Sequence, residues 1–106
     1  MASPLQHEMD EKLRKAKESV VDEKTFTQFL AVLSTDWFVE KEIEEATPSS
    51  PYSSGALGWE NSSIGAFLDS SFRWAICSQS GLQHYDVPTN PWRRAADILA
   101  MGKIYE

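Results

Sequence analysis

The strongest constraint on the fold is a set of apolar residues at helical spacing in the first half of the chain. Phe26, Phe29, Leu30, Leu33 and Trp37 fall at positions i, i+3, i+4, i+7 and i+11. This spacing places side chains on one face of an α-helix. Amphipathic helices are therefore the expected building blocks.

Asp22 precedes this run and is a candidate N-cap for the helix. Beyond Asp36 the period weakens, so residues 40–45 either continue the helix or restart it with Asp36 as a new cap. Pro48 is the latest position at which the helix can stop. Residues 47–58 are rich in Ser, Pro and Gly and have no apolar period, which predicts a loop.

An earlier helix is predicted from Ser3 and Pro4, an N-cap followed by proline at the first helical position. Its apolar stripe is thin and consists of Leu5, Met9, Leu13, Ala16 and Val20. A helix of this kind buries one narrow edge. We expect it either to fill a groove within the chain or to dimerise.

A third helix is predicted after Asn61, its candidate N-cap, with an end near Gly81 at the left-handed C′ position. Its apolar residues cover more than half of the circumference: Ile64, Phe67, Leu68, Phe72, Trp74, Ala75 and Ile76. Since such a helix needs neighbours on several sides, it is expected to be central.

A fourth helix is predicted to begin at Asn90 and Pro91 and to run to the end of the chain, with little side-chain bulk at Ala95, Ala96 and Gly102. One short extended stretch within 82–88 would have no partner strand, so no sheet is predicted. The expected fold is all-α, a compact bundle of about four helices with a Ser/Pro/Gly-rich central loop. Residues 1–106 form one domain, with 1–20 as an N-terminal helical extension of a core at 20–106.

The residues that carry chemistry are sparse. The chain has one cysteine, Cys77, and two histidines, His7 and His84, with no metal-binding motif. Cys77 is interpreted as a small core or boundary residue, because His84 lies about two helical turns away, too far to activate it. No enzyme activity, catalytic residue, cofactor or metal is predicted.

Composition limits the classes of partner and the cellular compartment that are expected for this chain. A lone cysteine fits a reducing compartment, so the cytoplasm is expected. No stretch reaches the roughly 20 apolar residues that span a bilayer, and no membrane association is predicted. The net charge of −6 argues against binding nucleic acid through its phosphates.

The negative charge is concentrated in the first 46 residues, which carry 6 basic and 11 acidic side chains. Such a field can steer a basic protein partner. The candidate interaction residues are Glu40, Glu42, Glu44 and Glu45. Arg93 and Arg94, in the first turn of the fourth helix, are expected to be held by a carboxylate such as Asp97, at i+4 or i+3, rather than to bind an anion.

The second half also resembles a family. Its pattern is Trp59-Glu60-Asn61, a Phe67-Leu68 step, Pro91-Trp92 and a terminal Tyr105-Glu106. This pattern is similar to a small bacterial family of domains of unknown function. The preceding Phe26, Phe29-Leu30 and Leu33 resemble the amino-terminal helix of that family, so the resemblance covers about residues 20–106. The resemblance implies a stand-alone bacterial domain with no assigned enzyme activity, from which the serine-rich insert around 47–57 departs.

The sequence supports two hypotheses about function. The first is a non-enzymatic protein–protein interaction domain, with an immunity-type inhibitor that covers a toxin as one version. The alternative is a small-molecule binding module with a Trp-lined cleft involving Trp59, Glu60, Asn61 and Trp92. The competing structural interpretation is that Trp59, Trp74 and Trp92 fasten the third helix to the fourth. The oligomeric state is left open.

Overall fold

The computed structural model describes residues 3–50 and 54–106, and within them the chain forms four α-helices. They are α1 (Pro4–Glu18), α2 (Glu23–Ala46), α3 (Ile64–Cys77) and α4 (Pro91–Gly102). The prediction of an all-α bundle of about four helices is confirmed. Positions 51–53 of the predicted central loop lie outside the described residues.

Three helix starts follow the predicted capping residues. The Ser3 hydroxyl accepts a hydrogen bond from the Gln6 amide at 3.0 Å. Asp22 forms a reciprocal capping box with Thr25. Asn90 Oδ1 accepts from the Trp92 amide at 2.9 Å. α2 runs unbroken through Asp36, so the alternative in which the helix restarts there is excluded.

The core lies between α1, α2 and α4. α1 contributes Met9 and Leu13, and Val20 follows it in the core. The remaining buried members are Phe29, Leu33, Leu57, Trp59 and Ala96. The thin stripe of α1 therefore fills a groove within the chain, and the expected N-terminal extension is part of the core.

α3 differs most from its prediction. Ser63, not Asn61, is its N-cap, because the Ser63 hydroxyl accepts from the Ala66 amide. The helix ends at Cys77, four residues before Gly81, whose positive φ of 87° lies in the following turn. Within the described residues α4 is the only helix against which α3 packs. The prediction of a central α3 is wrong, because α1 and the loop residues Leu57 and Trp59 occupy the inner positions.

α4 also stops short of the end of the chain, at Gly102, and Lys103 and Ile104 form a turn. The small residue at 102 has the predicted effect. A Cβ atom there would collide with the Ser71 hydroxyl and the Phe67 ring, so α3 and α4 approach closely at this point. Leu82 and Tyr85 form an isolated bridge, and the described part of the chain contains no sheet.

Candidate functional site

A buried ion pair joins the middle of α2 to the turn after α4. Lys103 Nζ lies 2.8 Å from Asp36 Oδ2, and the indole Nε1 of Trp59 donates to the same oxygen at 2.8 Å. The side chains of Lys103 and Asp36 are only 5% and 1% exposed. Desolvation of such charges is costly unless they are paired. The arrangement therefore holds Trp59 in the core.

Glu40, one helical turn after Asp36, fastens the central loop. Its Oε1 accepts hydrogen bonds from the Leu57 amide at 3.0 Å and the Trp59 amide at 3.1 Å. Gly55 passes so near that a Cβ atom there would collide with the carboxylate. Burial raises the pKa of Glu40, against the opposing effect of the two amides. Glu40 therefore has a structural role, which is to hold the central loop against α2.

The four acidic candidates do not form one binding face. Glu44 accepts from the amide and hydroxyl of Ser49 and from the Ala56 amide, and the Ser49 hydrogen bonds lower the pKa of Glu44. Glu42 and Glu45 are exposed on the same helix. Two of the four carboxylates bind the loop, and two face outward.

Glu60 and Asn61 join the loop to the end of α4. Their backbone amides donate to the Lys103 carbonyl, and the Asn61 side chain donates to the carbonyls of Gly102 and Tyr105 at 3.2 and 2.9 Å. The Asn61 side chain thus binds the end of α4, and Ser63 is the residue that caps α3. The Glu60 side chain is exposed.

The tryptophans do not share one cleft. Trp92 packs against Phe26 at 5.4 Å between ring centroids and so links α4 to α2. Trp74 packs against Tyr85 at 4.9 Å. Trp59 faces Phe67 of α3 at 6.0 Å. The predicted fastening of α3 to α4 by all three tryptophans is therefore wrong for Trp92.

A second polar cluster fastens α3 to α4. Tyr85 donates its hydroxyl proton to Asp97 at 2.7 Å, and Arg94 reaches the Ser78 hydroxyl and the Ala75 carbonyl at 2.9 Å each. Of the two arginines predicted to be held by Asp97, Arg93 pairs with it at 2.9 Å, whereas Arg94 binds Ser78 and Ala75 instead. Burial raises the pKa of Tyr85. These groups are occupied in holding the two helices together.

An open apolar groove of about 400 Å³ lies between α2 and the start of α3. Its polar lining consists of Asn61, whose amide is already bonded, and three serines. Its apolar lining is Leu30, Leu33, Trp37, Phe38, Trp59, Ile64, Phe67 and Leu68. The groove is a depression in the surface, and the indoles of Trp37 and Trp59 form part of its wall.

The groove continues into an uncovered stripe along α3. Ile64, Leu68, Phe72 and Ile76 recur every four residues and are 82%, 57%, 63% and 51% exposed. Across the groove, Leu30 and Phe38 of α2 are also exposed. We call these six residues the α2–α3 apolar surface. Large contiguous apolar patches on a folded chain commonly mark binding surfaces.

Sequence reasoning missed this surface. The apolar period predicts that Leu30 lies on the buried face of α2 and that the α3 residues lie in a central core. The available signal was the width of the apolar face on α3, more than half of the helix. One neighbouring helix covers only part of such a face, so the excess could have been interpreted as a second contact surface.

Among the described residues, no group of three or more His, Cys, Asp or Glu side chains is placed to hold a metal ion. None of the helices described is long and apolar enough to cross a membrane. No protein-family model matches the chain, and neither curated proteins nor solved structures provide a match.

Proposed function

We propose that this chain is a non-enzymatic protein–protein interaction domain that binds through the α2–α3 apolar surface. The observation that carries the proposal is the row of exposed Ile64, Leu68, Phe72 and Ile76, continuous with the groove beside Leu30 and Phe38. Removing such side chains from water contributes about 25 cal/mol for each Å² buried. Association with another protein surface gives these residues the apolar contacts that their own chain leaves unmade.

The extent of the surface favours a protein over a small molecule. A helix of 14 residues is about 20 Å long, and the exposed stripe follows its whole length. Small-molecule sites typically enclose most of their ligand in a concavity. An elongated apolar ridge beside an open groove suits an apolar helix or strand of a partner.

The buried charges near the groove are engaged within the fold. Asp36 is paired with Lys103 and Trp59, and Glu40 holds two loop amides. In these contacts the two carboxylates hold Trp59 and the central loop against α2. The groove wall itself offers hydroxyls and aromatic rings to a ligand.

Site-specific photo-crosslinking in the native host tests the proposal. A photoreactive amino acid replaces Phe38 or Leu68, and the matched control replaces Lys12, an exposed residue of α1. We expect a discrete protein adduct from positions 38 and 68 and none from position 12. Absence of a protein adduct from both surface positions, in variants that keep the helical circular dichroism spectrum, would overturn the proposal.

The same experiment distinguishes the immunity-type inhibitor from the small-molecule binding module. An immunity-type inhibitor predicts a basic protein in the adduct, with a yield that falls when the exposed Glu42 and Glu45 are changed to Lys. The small-molecule alternative predicts a low-mass adduct beside Trp37 and Trp59. The bacterial family and the cytoplasmic location belong to the same proposal and are supported by the Trp59-Glu60-Asn61 pattern and the lone Cys77.

A further inference from the structure

We infer that a second copy of this chain covers the α2–α3 apolar surface, with the two α3 helices packed antiparallel. The inference rests on the proposed function and names its partner. Three independent properties of the surface support it: the symmetry of the α3 stripe, the position of its charges and its area.

The stripe is complementary to itself. Ile64, Leu68, Phe72 and Ile76 are arranged evenly about position 70. In an antiparallel pair related by a two-fold axis at that position, Leu68 of one copy meets Phe72 of the other, and Ile64 meets Ile76. Ridges of residues spaced by four pack into each other at a crossing angle of about 50°. The closest contacts therefore lie at Leu68 and Phe72.

The charges beside the stripe complement each other in the same arrangement. Asp69 and Arg73 are the charged residues of α3, paired at 3.0 Å and largely exposed. Each follows an apolar residue of the stripe, so both lie along one flank. A two-fold axis perpendicular to both helices places the same flank of each copy on the same side of the interface. The two helices then run in opposite directions along that flank. Arg73 of each copy then lies beside Asp69 of the other.

This face also avoids the repulsion expected between two acidic chains. Residues 1–46 carry a net charge of −5 out of the total of −6. One acidic and one basic residue give α3 no net charge. Packing α3 against α3 therefore brings together two helices that have no net charge.

The exposed apolar area, when all of it is covered, is close to that of a standard dimer interface. The exposed fractions of the four α3 residues, at about 200 Å² for a large apolar residue, amount to roughly 500 Å² in each copy. Leu30 and Phe38 raise this to roughly 700 Å². A standard stable interface buries about 800 Å² on each partner.

Charge exchange between copies provides the test, with molar mass measured by light scattering after gel filtration. The wild-type chain should have a mass of about 24 kDa, twice its 12.0 kDa. Asp69→Arg and Arg73→Asp should each give a 12.0 kDa monomer, because like charges then meet twice in the interface. An equimolar mixture of the two variants should restore the dimer, since every Arg then meets an Asp.

The restoration on mixing cannot come from the ion pair within one helix, which is lost in both variants. Glu8→Arg and Lys12→Asp break a similar exposed i, i+4 pair on α1 and serve as controls that stay dimeric. Leu68→Glu should be monomeric with an unchanged circular dichroism spectrum. A monomeric wild type at 200 µM, or two charge variants that remain dimeric, would overturn the inference.

The two proposals fail separately. If crosslinking from position 68 captures a different protein and the purified chain is monomeric, the dimer is wrong and the interaction function stands. If crosslinking gives no protein adduct and the chain is monomeric, both are wrong.

Discussion

At the residue scale, the molecule uses its internal charges to position a loop. Asp36, Glu40 and Lys103 are buried, and between them they bind the indole of Trp59 and the backbone amides of residues 57 and 59. A loop without helical hydrogen bonds must satisfy its buried amides by other means. These side chains provide the acceptors, and Trp59 enters the core as a result.

Loss of Lys103 is expected to destabilise the fold strongly. Lys103→Met keeps the length of the side chain but leaves the Asp36 carboxylate buried without its cation. We expect the free energy of unfolding in urea to fall by about 3–5 kcal/mol. In the double variant with Asp36→Asn the loss should be smaller than the sum of the two single losses, because the uncompensated charge is gone. Additive losses would show that the pair is not coupled.

Glu40 is expected to make stability depend on pH. Burial raises its pKa above the usual value of 4.5, so the folded chain retains a proton that the unfolded chain has already released. The contribution of this group is therefore greatest at low pH and declines as the pH rises from 4.5 through the folded pKa.

The neutral isostere Glu40→Gln removes this dependence. Relative to the wild type, its free energy of unfolding should increase as the pH rises from 4.5 and should level off above the folded pKa of Glu40. Urea titrations at several pH values measure the difference. Glu42→Gln, exposed on the same helix, is the matched control for the loss of one carboxylate. A wild-type advantage that grows with pH would contradict the prediction.

At the scale of elements, the packing of α3 on α4 is close and one-sided. Ser70, Ser71 and Trp74 face inward, whereas the ridge beginning at Ile64 remains uncovered. Small residues at the contact permit this separation between the helices, and Gly102 is the tightest point. The outer face of α3 is thereby available for a contact outside the chain.

Two glycine substitutions should have opposite effects. Gly102→Ala gains helix propensity but forces its methyl group against Ser71 and Phe67, and overpacking of this kind costs about 1–3 kcal/mol. Gly65→Ala meets nothing within 4 Å and should gain up to about 1 kcal/mol. Thermal unfolding in the Leu68→Glu background removes self-association from the comparison. Shifts in the same direction would show that α3 and α4 are not closely fitted at Gly102.

At the scale of the whole molecule, helix periodicity predicts where the helices lie in the sequence but not which helices pack against each other. The caps at Ser3, Asp22 and Asn90 act within a few residues, so sequence reasoning identified them. The prediction of Asn61 as an N-cap is wrong, because the carbonyl groups that its side chain binds lie 41 and 44 residues away in the sequence. Apolar spacing gives the width of the face on α3 but not how many helices cover it. The candidate surface was missed for this reason.

The buried pair also has a consequence for the order of events during synthesis. Asp36 and Lys103 are 67 residues apart, and the indole that shares the Asp36 oxygen lies between them in the chain. When α1 and α2 first leave the ribosome, Lys103, the cation that pairs with Asp36 in the core, is not yet present. Contacts so distant in sequence form late and slowly. The ion pair in the core can therefore form only after residue 103 has been synthesised.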